Sequence, residues 1–199
     1  DAHEADIARL DARIEAAMAP FRAARELLVT IPGWSYTVAN VVIAETGADM
    51  SVFPTAGHLA SWAGLCPGSH ESAGRIKSSK TLPGNHHLKA ALGVAALSAS
   101  RSTNTYFGAH YRRIAGRRST WPTTKKSRRQ TAAGQTAIVA LAHKMLTCTW
   151  HMLTNGTTYQ DPGPDYYTRH RPTQTKTHAV KQLQALGYDV TLAPHTDAA

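Results

Sequence analysis

The sequence predicts a mostly α-helical protein. Three observations carry that expectation. Apolar residues recur at helical spacing in several stretches, as in Ile138, Leu141, Met145, Cys148 and Met152. Pro20, Gly47 and Gly156 fall where such stretches should break or stop. The 199 residues are 42% apolar and 18% charged, a balance that supports a packed core. The expected architecture is a coiled-coil end, a helix-hairpin-helix-like module and a helical bundle with a long basic loop. Its expected limits are 1–30 for the linking helices, 31–160 for the main domain and 161–199 for a Pro-rich tail with a short helix.

The elements follow in order. Residues 3–19 read as a helix. Ile7, Leu10, Ile14 and Ala17 continue as Phe21, Ala24 and Leu28 in a heptad pattern. Pro20 removes an amide donor inside it, so a second helix should open there and run over 20–30. The seam fits pairing with another chain and fits a helix hairpin within one chain. Ile31-Pro32-Gly33-Trp34-Ser35 is then a tight turn before a helix that Gly47 ends. A helix-hairpin-helix would offer Gly33, Trp34 and Ser35 to a DNA phosphate through backbone N–H groups. The second glycine of that motif is replaced by Ser35, and an ordinary αα-turn fits as well. A short helix is expected at 58–64. Residues 65–84 show no periodic pattern and read as a loop rich in Gly, Ser and Lys, long enough to be functional or disordered. Helices should follow at 85–102, 104–115 and 131–153, with a basic loop at 116–130. A last helix near 177–186 should precede a strand at 188–192.

Charge is placed unevenly. Residues 50–160 hold 14 bases and one acid, Glu71. A folded segment of one sign points to a polyanion partner, with a merely basic solvated surface as the plainer explanation. No run reaches 18 apolar residues, so no membrane span is expected. Two cysteines, Cys66 and Cys148, cannot build a disulfide framework, and a cytoplasmic setting is expected. The chain reads as a whole protein or as a piece of a longer one.

Three kinds of chemistry can be weighed. The histidines and cysteines lack metal-ligand spacing, so no metal is expected here. Two-metal phosphoryl transfer needs several acids, and the basic stretch holds one. A serine attacking a phosphodiester needs an exposed hydroxyl, nearby cations and room for the strand. Ser72, followed by Ala73-Gly74 and then by Arg75, Lys77 and Lys80, meets those needs. A flexible basic loop with solvated serines meets the same composition.

An ordered set of motifs narrows the choice. Ile31-Pro32-Gly33, Ala44-Glu45-Thr46-Gly47, Phe53, Leu59-Ala60-Ser61-Trp62-Ala63-Gly64-Leu65-Cys66-Pro67, Glu71-Ser72-Ala73-Gly74-Arg75, Gly84-Asn85 and Leu88-Lys89-Ala90-Ala91-Leu92 occur in sequence. Together they resemble the C-terminal domain of DEDD-type insertion-sequence transposases, the family numbered one hundred and ten, with the Piv-type invertases and the bridge-RNA-guided recombinases. The resemblance covers about residues 20–160. It implies a catalytic Ser72 that joins covalently to DNA, and a separate RuvC-like domain whose acids hold Mg²⁺. It implies a guide (bridge) RNA beside DNA, and a homo-oligomer through the coiled coil. DNA contacts are expected from Arg75, Lys77, Lys80, Asn85 and Lys89, and from the second basic segment, Arg117, Arg118, Lys125, Lys126, Arg128 and Arg129. The pattern departs at Lys89, where the family usually has Arg, and at Leu82-Pro83, which replaces a basic stretch. The alternative is a DNA- or RNA-binding module without chemistry, or an inactive truncated transposase.

Overall fold

The computed structural model describes residues 1–193 except 69, 79 and 120–125, and for 70, 76, 117–119 and 126–133 the backbone alone. The chain is mostly helical. Helices α1 (Ala2–Met18) and α2 (Arg22–Leu28) are separated by a 3-10 turn at Ala19–Phe21. The break follows from Pro20, which cannot donate into an α-helical ladder. Helices α3 (Tyr36–Thr46) and α4 (Ala56–Trp62) come next. A two-stranded antiparallel sheet, β1 (His70–Ser72) and β2 (Arg75–Ser78), then leads into α5 (His86–Ser100), α6 (Tyr106–Ser119) and α7 (Lys126–Asn155). Helices α8 (Tyr166–His170) and α9 (Pro172–Ala185) complete the described fold.

The core forms where α7 crosses α4, α5 and α6, and where α3 lies on α5. Leu88 and Leu92 of α5, Leu141, Met145 and Leu146 of α7, Phe107 of α6 and Leu59 of α4 are fully buried. The expected apolar stripe of α7 is therefore the one that packs. The same core takes in Met18, Leu28 and Ile31, so it runs across the expected boundary at residue 30. Thr149 is buried on α7 without cost in unpaired polarity, because its hydroxyl donates to the Met145 carbonyl at 3.1 Å.

Several expectations need correction. Residues 65–84 are not a featureless loop but an arm built on a β-hairpin. The basic segment at 116–130 is largely helical: α6 continues to Ser119 and α7 already begins at Lys126. Arg and Lys propagate a helix almost as well as Ala, so a run of them does not end one. The tail holds α8 and an α9 that starts at Pro172, earlier than expected. No strand forms at 188–192, because no other strand lies alongside to pair with it among the described residues. The seam on α1 is not covered by a hairpin among the described residues. Ile7, Leu10 and Ile14 stay 58%, 53% and 43% exposed. Arg25 instead ties α1 to α2 through Glu15, with both terminal guanidinium nitrogens donating, at 2.8 and 2.9 Å. No described helix is long and apolar enough to cross a membrane.

The tail docks through an aromatic cluster. Tyr106 on α6 meets Tyr166 edge-on at 5.0 Å and stacks on Tyr167 at 5.7 Å. The Tyr167 hydroxyl donates to the Tyr106 hydroxyl at 3.1 Å and also bonds His110 Nδ1. Burial, with Lys144, Arg113 and His143 nearby, holds the His110 imidazole down to about 4 from its ordinary 6.5. An unfolded chain therefore takes up a proton between pH 6.5 and about 4 that the folded chain refuses, and stability falls as pH drops through that window. Thermal melts should show a falling midpoint across it, and His110→Gln should flatten the fall. A His110→Gln profile parallel to wild type would contradict the assignment.

A candidate nucleic-acid interface on a clamped arm

The arm begins and ends on two glycines in backbone contact. A Cβ on Gly64 (φ +70°) would sit 2.8 Å from the Leu82 carbonyl oxygen and 2.9 Å from Gly84. A Cβ on Gly84 would sit 2.4 Å from the Ala63 carbonyl oxygen. Only hydrogen fits at either position, so α4 and the entry to α5 close together at the root of the arm. Above the root, Pro67 bridges Thr81, and the Gly68 N–H donates to the Lys80 carbonyl at 3.0 Å. The arm is thus laddered at its base before β1 and β2 pair.

The tip is a two-residue turn. Ser72 pairs with Arg75 and Glu71 with Ile76, with an irregularity between His70 and Glu71. Ala73 and Gly74 take φ of +52° and +72°. That double positive φ matches the twist of a tight hairpin, but it strains Ala73, whose Cβ crowds its own backbone. Directly paired residues share a face, and alternate residues of a strand do also. Ser72 and Arg75 therefore lie on one face and Glu71 on the other, while Lys77 is the extra residue of β2 at the irregularity, since Glu71 pairs with Ile76 and His70 with Ser78. All four are exposed. The Ser72 hydroxyl makes no hydrogen bond within the described residues.

Behind the tip, Lys77, Lys80 and Lys89 line a groove of about 700 Å³ with Ser78, Thr81 and Leu82. Lys89 Nζ donates to the Leu82 carbonyl at 3.4 Å. The ion pairs of the described residues all lie within residues 1–25, so no carboxylate among them neutralises Arg75, Lys77, Lys80 or Lys89. A groove of unpaired cations is a place for an anionic backbone. No three His, Cys, Asp or Glu side chains converge among the described residues. With Glu71 as its one carboxylate, the arm does not fit a two-metal site.

Other expected contacts are placed differently. Asn85 is half-buried and occupied: its Oδ1 accepts the Leu88 N–H at 2.9 Å, capping α5, and its amide donates to the Glu45 carboxylate on α3. In the α2–α3 turn, Gly33 lies against α5, where a Cβ would come within 2.7 Å of the Ala95 carbonyl oxygen. The Trp34 N–H is taken by the Ile31 carbonyl at 3.1 Å, and its ring is buried. The Ser35 hydroxyl caps α3 by accepting the Val38 N–H at 3.3 Å. This turn is committed to packing and capping. Arg117 and Arg118 lie in the last turns of α6, and Lys126, Arg128 and Arg129 in the first turns of α7, with side chains outside the described residues. Lys125 and the His70 side chain also lie outside them. Sequence reasoning missed the hairpin, whose one signal was the pair Ala73-Gly74 between Ser72 and Arg75.

Residues 25–112 match the model of the Transposase IS116/IS110/IS902 family. That match starts in α2, contains the whole arm and α5, and ends in α6. Outside it lie the basic start of α7 and the aromatic tail. The chain is 31% identical over 146 residues to an uncharacterized 43.6 kDa protein of insertion element IS110 from Streptomyces coelicolor, covering 69% of this chain and 31% of that protein. It is also 31% identical over 161 residues to an uncharacterized 42 kDa protein of insertion element IS900 from Mycobacterium paratuberculosis, covering 78% of this chain and 36% of that one. The chain spans about a third of the length of these curated relatives.

The root of the arm makes two stability predictions that calorimetry or denaturant melts can check. Gly84→Ala should cost about 1–3 kcal/mol, because backbone must move to admit the methyl group. Asn85→Ala should cost about 1–2 kcal/mol through the lost cap and the unpaired Glu45. Wild-type stability in either variant would show that the arm is not rooted this way.

Proposed function

We propose that this chain is the DNA-engaging, serine-bearing part of an insertion-sequence transposase. The observation that carries the reading is Ser72. Its free hydroxyl stands at a strained turn, on the same face as Arg75 and with Lys77 further along β2, at the end of an arm whose cations have no ion-pair partner among the described residues. The match of residues 25–112 to a transposase family and the two insertion-element relatives support it.

The chemistry is a transesterification. Ser72 Oγ attacks the phosphorus of a backbone phosphodiester and forms an O–P bond. The bond from phosphorus to one deoxyribose oxygen breaks, and that oxygen leaves as a hydroxyl carrying the proton that Oγ gives up. One phosphoester replaces another, so the strand stays activated for rejoining. Arg75 and Lys77 stabilise the extra negative charge on the phosphoryl oxygens. Lys80 and Lys89, deeper in the groove, hold the flanking backbone. Mg²⁺ and its acids are assigned to a RuvC-like domain outside these residues, and a guide RNA is the second nucleic acid. The basic helix ends at Arg117–Arg118 and Lys126–Arg129 add backbone contacts. The exposed Ile7, Leu10 and Ile14 of α1 are the surface for pairing with another copy.

In the transposase that carries this chain, Ser72→Ala should lower strand transfer roughly a thousandfold or more, as loss of a nucleophile does. DNA affinity should stay within about twofold, because the cations remain. Strand transfer by Ser72→Ala at the wild-type rate would remove the nucleophile and leave a binding module.

A further inference from the structure

The tail builds a second cationic recess that the arm does not explain. Docking of α8 on α6 leaves a cavity of about 510 Å³ that reaches the first turns of α9. Arg113 enters it from α6, and Tyr167, Arg171, Gln174 and His178 from the tail. No carboxylate of the described residues lines it. The Arg113 guanidinium lies 4.5 Å over the Tyr167 ring, which also stacks on Tyr106. Arg171 donates to Gln174 Oε1 at 3.4 Å. Neither arginine has an ion-pair partner among the described residues.

This lining selects a class of ligand. Two guanidinium groups converge with an imidazole and the opening turn of a 14-residue helix, whose free N–H groups favour negative charge. The Tyr167 ring is already engaged by Arg113 and Tyr106, so the recess offers donors and positive charge, not a bare ring for a base to stack on. We propose that the recess seats a phosphodiester of a nucleic-acid backbone, as a contact separate from the arm. This rests on the reading of the chain as a nucleic-acid-engaging protein, and it adds the tail to the bound surface.

The test is anisotropy of fluorescein-labelled duplex DNA with the 199-residue chain over a series of KCl concentrations. Arg113→Gln/Arg171→Gln should weaken binding several-fold and lower the slope of log affinity against log salt by about one to two, one for each lost phosphate contact. Lys176→Gln/Lys181→Gln is the control, since both lysines are exposed on α9 and neither lines the recess. Equal losses in the two pairs would overturn the proposal, because any two charges would then serve. If the Arg113 change lowers the thermal midpoint, Arg171→Gln alone carries the test, with about half the expected change in slope. Inorganic phosphate, followed by arginine side-chain NMR, separates the sources: saturable phosphate binding with an unchanged DNA slope assigns the recess to free phosphate and overturns the proposal. Lys77→Gln/Lys80→Gln reports on the arm independently. A loss there without a loss in the arginine pair leaves the arm reading standing and defeats this one.

Discussion

The contact between Gly64 and Gly84 is the constraint on which the rest of the site depends. It brings the end of α4 and the start of α5 to backbone distance, leaving no room for any side chain. A 19-residue excursion between those glycines would otherwise sample many conformations at its tip. With its ends fixed, each further pairing closes a small loop instead of a large one. The Pro67–Thr81 bridge, the Gly68–Lys80 hydrogen bond and the β1–β2 ladder follow upward from that root. The tip therefore inherits its position from the helical core: α5 is packed against α3 and α7, and Asn85 locks its first turn to Glu45.

Electrostatics then acts on a fixed scaffold. The acids of the chain lie mostly before residue 50 and after residue 160, and the described ion pairs stay near the N-terminus. Arg75, Lys77, Lys80 and Lys89 consequently repel one another without local relief. A polyanion removes that repulsion and releases its own counterions, so binding and relief of strain in the charge distribution are one event. Ser72 shares its face with Arg75, ahead of the groove that the three lysines line.

Much of this was legible in the residues. Helical periodicity located the long helices, Pro20 the break after α1, and Gly47 the end of α3. Asn85 was legible as the start of α5, while its bond to Glu45 was not, because forty residues separate the partners. The arm was read as a loop because strands of three and four residues, with an irregularity at His70–Glu71, are too short for alternation to register. The α2–α3 turn carried a motif-like sequence, yet Gly33 turned out to serve close packing against α5. The tail cluster of Tyr106, His110 and Tyr167 depends on contacts nearly sixty residues apart, which no local pattern encodes. Ser72 was singled out by its neighbours in sequence and by the family resemblance, and the hairpin pairs it with one of those neighbours, Arg75.

The most direct test of the central claim is disulfide trapping of DNA by position 72. Ser72→Cys would be mixed with duplex DNA carrying a thiol tether on its backbone, with Ser98→Cys on the exposed side of α5 as the comparison. Ser72→Cys should give a crosslinked band well above both Ser98→Cys and the wild-type chain with its native Cys66 and Cys148. Equal trapping at 72 and 98, or none above wild type, would mean that the arm does not carry its serine to the DNA backbone.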